Sequence, residues 1–410
     1  MASQCANPRR PLATALLLAL SLCEPGRVMS QQQSSGGRLH AQHWLAEPLD
    51  GDCCARAAAC SMREFGAARQ RCAKASAAVV YVAQNARQDK NYGRDSRSLL
   101  ERSLDALHAN LLPWSGPADV LVFNEGDFEA QDVAALSANR STLFFVRLHP
   151  SVWHTPKHLN EADLPSWFDG EIFGIGYRHM MRWYSLFVYE YMARLGYEWL
   201  LRLDEDSMIL SPIRYNLFQF MERGGKEYGF RLQQNEGEGQ SRGFPEAVAA
   251  HMVAEGFEPT FLSEDCDPPD MSGLNSRGGW SHHVYYNNFF VTKLSFWAQP
   301  RVHKFLRYMD RIGGAYPYRR VITLSHCRSC VILHDRWGDA LLQTAAVKTF
   351  MPKEAVHHFT DFTYQHATLD REEHRELIWG GFSAGADDPQ GAANEEEFVK
   401  RYGGPRIEVW

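Results

Sequence analysis

EWLLRLDEDS, residues 198–207, is an apolar run that ends abruptly in three acids. The segment from Trp199 to Leu203 has the length and composition of a buried strand. Asp204, Glu205 and Asp206 follow with no spacer. Just upstream, YRHMMRWYSLFVYEYMARLG (177–196) sets Met180, Tyr184, Phe187, Val188, Tyr191 and Leu195 on one face of a helix that Gly196 stops. Further upstream, AAVVYVAQN (77–85), ADVLVFNEG (118–126) and STLFFVRL (141–148) read as strands, and RSLLERSLDALHANLL (97–112) is helical between the first two. This alternation predicts an α/β fold with a largely parallel central sheet. Such sheets keep their ligand sites at the carboxyl ends of the strands, where the acidic triplet falls.

Downstream, Ser211-Pro212 opens a helix that ends near Gly224, and YGFRL (228–232) resumes as a strand. YYNNFFVTKLSFW (285–297) reads as a strand followed by the helix RVHKFLRYMDRIGG (301–314). Asp339 reads as the N-cap of a helix reaching Phe350. PKEAVHHF (352–359) is a short strand, and DFTYQH (361–366) ends in a loop. From Ala367 the tail is acidic, Gly-rich and weakly patterned, and partial mobility is expected. No internal repeat is visible.

The 410 residues are 45% apolar and 22% charged, a globular balance that excludes wholesale disorder and collagen-like repeats. The formal net charge of −6, with no basic stripe, excludes nucleic acid as a partner. Arg9 and Arg10 precede PLATALLLALSLC (11–23), which is shorter than the roughly 20 residues of an ordinary membrane span. Residues 1–23 therefore read as a signal peptide or an uncleaved signal anchor, and both readings send the chain into the secretory lumen. The sequon Asn139-Arg140-Ser141 is compatible with that compartment. Four of the nine cysteines, Cys53, Cys54, Cys60 and Cys72, follow the polar stretch SQQQSSGG. In an oxidising lumen they make residues 24–76 a disulfide-stapled stem whose connectivity stays open.

Asp204 and Asp206, a D-x-D at a strand end, suit a divalent cation that also binds a diphosphate, the arrangement a nucleotide-sugar transferase needs. The competing reading is a solvated acidic turn. His366 adds an imidazole, and one imidazole with carboxylates and diphosphate oxygens suits manganese. Glu205 is either a supporting group or exposed. Asp339 is a helix cap, an acceptor for a substrate hydroxyl, or both. His326-Cys327-Arg328-Ser329-Cys330 with His334 has zinc-like spacing, though a disulfide or free thiols in an inserted loop is the simpler reading. His282-His283 and His357-His358 are adjacent pairs that a strand points to opposite faces, so neither makes a two-ligand site.

YRHMMRW, EWLLRLDEDS, YGFRL, NNF, MDRIGGAY, RWGDAL and PKEAVHHFTDFTYQH occur in the order and approximate spacing of the fungal α-1,2-mannosyltransferases, glycosyltransferase family 15, and the chain resembles that family over residues 77–366. The resemblance implies a GT-A-like domain, a type II Golgi membrane protein with a lumenal catalytic domain, GDP-mannose as donor, a mannosylated glycan or glycoprotein as acceptor, manganese (Mn2+) as cofactor and retention at the anomeric carbon. By position it implies that Asp204, Glu205 and Asp206 form the metal and nucleotide element, that His366 is a metal ligand, and that Tyr177 and Asp339 line the catalytic side. The chain departs from the pattern in three places. Asp204 and Glu205 replace a glutamate and a proline. Phe290 stands where the family has a glutamate, which favours same-face attack over a protein nucleophile and makes Phe290 an expected apolar wall beside the sugar. Residues 317–335 read as an insertion. A catalytically inactive glycan- or nucleotide-binding protein on the same scaffold, or a transferase of another sugar, is the alternative.

Overall fold

The computed structural model describes residues 53–73, 75–86, 95–157, 159, 174–316, 337–369, 377–386 and 388–402, all within one compact unit, Trp44–Trp410. The N-terminal apolar run and the 317–335 insertion with its Cys–His cluster lie outside the described residues.

Among the described residues, eight strands form the main sheet in the order β1-β4-β3-β2-β5-β8-β7-β9. These are β1 (Cys60–Ser61), β2 (Ala77–Val82), β3 (Ala118–Asn124), β4 (Leu143–Arg147), β5 (Trp199–Leu203), β7 (Tyr228–Asn235), β8 (His283–Lys293) and β9 (Val356–His358). Pairings are parallel except those that β8 makes with β5 and β7. The sheet is thus largely parallel, as the alternation predicts. A second sheet, β11-β10-β6, joins β6 (Ser207–Ile209), β10 (Tyr364–Leu369) and β11 (Leu377–Ser383) in antiparallel pairs.

Both faces of the main sheet are buried, which is why its strands are continuous apolar runs rather than alternating ones. Val80 and Leu200 belong to one core, and Val79 and Leu201 to the other. The first core is covered by helices α1 (Met62–Cys72), α5 (Val188–Arg194), α7 (Phe244–Glu255), α8 (Pro300–Arg311) and α9 (Asp339–Phe350). The second is covered by α2 (Ser96–Asn110), α3 (Ala130–Ser137), α6 (Leu217–Arg223) and the small sheet. The helix α4 (Ile175–Arg182) runs into α5 through one π-helical segment, Trp183–Phe187.

The structure differs from the sequence reading at several boundaries. The helix expected from Ser211 begins at Leu217, because the Asn216 side chain accepts from Gln219 N–H and caps it. β8 stops at Lys293 and a single helical turn, Leu294–Trp297, follows. The N-cap of α9 is Gly338, so Asp339 is the first helical residue and its carboxylate does other work. His366 is not in a loop but in the middle of β10. The tail past Ala367 also carries β11 and α10 (Pro389–Tyr402), so it is part of the fold.

The stem cysteines pair as Cys53–Cys60 and Cys54–Cys72. The segment they staple is no separate appendage, however. β1 pairs with β4, and Phe65 of α1 is fully buried with its ring tilted against that of Phe144, centroids 5.4 Å apart. Burying one such phenyl ring contributes about 1.5–3 kcal/mol, enough to tie α1 to the sheet.

Candidate active site

Asp204 leaves the carboxyl end of β5, and a tight turn carries the chain through Glu205 and Asp206 into β6. Ser207 fixes that turn. Its backbone N–H donates to Asp204 O at 3.0 Å. Its hydroxyl accepts from Asp204 N–H at 3.1 Å and from the Tyr364 hydroxyl at 2.8 Å, and donates to Asn288 O at 3.2 Å. With every lone pair and proton of a fully buried hydroxyl in use, the turn has one geometry.

β6 then pairs with β10 in a register that sets His366 directly opposite Ser207. This brings His366 Nε2 to 3.1 Å from Asp206 Oδ1 and 3.8 Å from Asp204 Oδ2. One ligand atom from each of Asp204, Asp206 and His366 lies within 4.8 Å of the others, and among the described residues this is the group of three able to hold a metal ion. The second imidazole nitrogen, Nδ1, lies 3.2 Å from the Tyr286 hydroxyl. Holding one nitrogen by a hydrogen bond leaves the other aimed at the carboxylates, the usual arrangement of a ligating histidine. Two carboxylates and one imidazole are a donor set of hard oxygens with one borderline nitrogen, which fits a cation such as Mn2+.

Glu205 turns away from this group. It is buried, and its Oε2 accepts from Gln84 N–H at 3.3 Å, which ties the end of β5 to the end of β2.

Arg202 organises the acids, and the sequence reading passed over it. It is the charged residue of an otherwise apolar strand, 2% exposed, and its Nε donates to Asp204 Oδ1 at 2.9 Å. Its Nη1 donates to Asp339 Oδ2 at 2.5 Å, and Asn287 Nδ2 donates to the same oxygen at 2.8 Å. The guanidinium lies 3.7 Å from the centroid of the Tyr184 ring. Tyr184 sits in the π-helical segment, and Gln343 Nε2 donates to its carbonyl at 3.2 Å. Burial raises the Asp204 carboxyl above its ordinary range, against the pull of Arg202 and His366. The available signal was a lone arginine inside a buried strand two residues before an acid, since an interior charge must be paired.

Tyr177, on α4, is half-buried and lies close enough to Tyr286 to contribute, after burial, Asp206 and Asp204, to the upward shift of the Tyr286 hydroxyl. Tyr177 also packs against the small apolar cluster of Leu159, Met181, Ala315 and Tyr316. Phe290 is fully buried, stacked on Tyr228 at 5.5 Å, and lies opposite Arg202 in the β5–β8 ladder. The expected apolar wall beside the sugar is instead core, because a phenyl ring at that position gains more under the sheet. His357 packs on Phe359 and His358 on Phe230, on opposite sheet faces as strand geometry requires.

Residues 119–397 match the family model described as glycolipid 2-alpha-mannosyltransferase. The chain belongs to this family. Similar curated proteins include the glycolipid 2-alpha-mannosyltransferase of Saccharomyces cerevisiae, 26% identical over 63% of this chain and 54% of that protein. Another is glycolipid 2-alpha-mannosyltransferase 2 of Candida albicans, 26% identical over 47% of this chain and 37% of its own length. The chain thus spans about half the length, or less, of these relatives. Among solved structures, core-mannan synthase A of Aspergillus fumigatus in its Mn/GDP form superposes with a TM-score of 0.57 at 17% identity, covering 81% of this chain and 86% of that one. The mannosyltransferase Ktr4p of S. cerevisiae in complex with GDP superposes with a TM-score of 0.58 at 17% identity, covering 92% and 90%. The fold of this glycolipid 2-alpha-mannosyltransferase family member is therefore the GT-A-like fold of those enzymes.

Proposed function

We propose that the chain transfers mannose from GDP-mannose to a hydroxyl of a mannosylated glycan or glycoprotein, as an α-1,2-mannosyltransferase, with Mn2+ held by Asp204, Asp206 and His366. The observation that carries this reading is the convergence of those three side chains at the carboxyl end of β5 in a member of this family. A divalent cation held there supplies positive charge to a departing diphosphate.

The chain's own residues do the rest. Arg202 holds Asp204 and Asp339 in fixed positions, so neither must reorganise as charge develops. Asp339 is left with its second oxygen to orient a sugar hydroxyl, and Tyr177 lines the same space. Tyr286 keeps the His366 ring from turning. Because Phe290 is core and apolar, no carboxylate is supplied at that position. Retention then proceeds by attack of the acceptor hydroxyl on the face the diphosphate leaves, which needs orientation more than a protein nucleophile.

The compartment follows from the same reading. A signal anchor at residues 1–23 would place the domain in the Golgi lumen as a type II membrane protein, and two disulfides suit an oxidising lumen. No helix among the described residues is long and apolar enough to cross a membrane.

The test is turnover of a panel of GDP- and UDP-sugars with a mannoside acceptor, with and without manganese. GDP release from GDP-mannose alone, dependent on the metal and cut at least about a hundredfold in Asp206→Asn, is the expected outcome. Turnover of a different donor would change the sugar. Inertness with every donor would make the chain a binding protein on this scaffold.

A further inference from the structure

Asn139-Arg140-Ser141 is the one N-x-S/T tripeptide in the 410 residues, and nothing in the transfer reading uses it. It occupies the turn between α3 and β4. Asn139 is exposed there, and its backbone is left-handed, with φ at 65°. Asparagine visits that conformation more readily than other residues with a Cβ, because its short polar side chain can bond locally.

The turn is fastened through Arg140 and through the backbone. Arg140 N–H donates to Ser137 O at 3.0 Å, and Leu143 N–H to Arg140 O at 3.2 Å. The Arg140 side chain folds back, so that its Nη1 donates to Leu136 O at 2.5 Å and its Nη2 pairs with Asp105 of α2. Arg56, in the disulfide-stapled segment, donates through Nη1 to Ser141 O at 2.7 Å. Thr142 O accepts from Val120 N–H at 2.8 Å, which ties the end of the turn to β3. Among the described residues no hydrogen bond involves the Asn139 carboxamide or the Ser141 hydroxyl, and both residues are exposed. The turn therefore keeps its shape without the two groups that define the tripeptide, and a substituent on Asn139 displaces no packed contact.

Its place in the fold also leaves the transfer site clear. β4 runs parallel to β3, and β3 and β5 run parallel to β2, so the turn that enters β4 stands at the amino end of the sheet. The acids leave the carboxyl end of β5. β4 and β5 are three steps apart in the strand order, roughly 14 Å, and β5 is itself roughly 16 Å long. A bulky hydrophilic branch on Asn139 thus stands at the opposite end of the sheet from Asp204 and Asp206.

We propose that Asn139 carries an N-linked glycan. The donor is an oligosaccharide joined to a polyisoprenyl diphosphate, delivered by a lumenal oligosaccharyltransferase that reads the Ser141 hydroxyl. The Asn139 amide nitrogen bonds to the anomeric carbon, the bond from that carbon to the diphosphate oxygen breaks, the amide gives up one proton, and the lipid diphosphate leaves.

The proposal rests on the lumenal reading of the compartment, and the test separates the two. The full chain is expressed in a eukaryotic cell, and its microsomes are treated with protease with and without detergent. Protection that lasts only while the membrane is intact places the domain in the lumen. Peptide-N-glycosidase digestion of the same protein should then speed its migration on a gel by one discrete step and deamidate Asn139 in the peptide mass spectrum. Ser141→Ala should abolish the step, and Ser141→Thr should keep it. A protected protein with no step, or a step that survives in Ser141→Ala, overturns the proposal and leaves the compartment reading standing. Digestion within intact microsomes sinks the compartment reading and the glycan with it.

Discussion

Arg202 is the residue on which the site depends. It bonds two carboxylates, and removing it leaves the buried Asp339 without its cation and Asp204 without its nearest one. Arg202→Met should lower stability by about 3 kcal/mol or more, read as a shift in the urea midpoint, and should cut GDP release at least about a hundredfold. Arg202→Lys should recover little of either, because one ammonium cannot serve two carboxylates in the fork geometry of a guanidinium. Phe290→Glu is the converse experiment. It introduces an acid into the core opposite an arginine already committed to two others, so a loss of about 2–4 kcal/mol is expected rather than a gain of activity. His366→Ala should remove the rise in melting temperature that added manganese produces in the unaltered protein, a readout separate from the loss of the buried imidazole's own contacts to Tyr286 and Asp206.

At the scale of elements, the sequence was most legible where both faces of a strand are buried. AAVVYV, ADVLVFN and WLLRL announce themselves as uninterrupted apolar runs, and the acids at the end of the last mark the site. The small sheet was hidden for the opposite reason. LIWGGFS contains a Gly pair that reads as a turn, yet it pairs along the whole of β10. On its other side β10 pairs with β6, and that register sets His366 opposite Ser207, so the ligand was legible as a residue type and its position was not. The stem was misjudged because disulfides in a lumenal chain suggest a separate module, while β1 and α1 complete the main sheet and its core. A chain beginning at Ala73 loses the β1–β4 pairing and exposes Phe144, and it should be recovered as aggregate. One beginning at Cys53 should be soluble. A chain ending at Leu369 strips the buried Arg231 of its bonds to Ser383 O and Ala384 O. Its melting temperature should fall by several degrees.

For the whole molecule, the edge of the sheet opposite the site carries a titrating group of its own. Asp119 accepts from the Tyr197 hydroxyl at 2.9 Å, and burial pushes its carboxyl up from 3.8 to about 6. A folded-state value above the unfolded one means the native state binds more protons in that interval. Its stabilising contribution is therefore complete below pH 3.8 and is lost as the pH rises through about 6. Asp119→Asn should flatten the stability profile across that window and leave GDP release at neutral pH unchanged. β8 has a further consequence. Its ladder with β5 covers only Phe289–Lys293, so the half from His283 to Asn288 projects beyond its neighbour like a cantilever, held by β7 and by contacts such as Tyr285 N–H to Thr344 Oγ1. Tyr286 and Asn287 ride on that arm, so the parts that steady His366 and Asp339 sit on a stretch with one neighbouring strand rather than two. In native-state hydrogen exchange the amides of Val284–Asn288 should open before those of Phe289–Lys293, so the supports of the site behave as a spring set into the sheet.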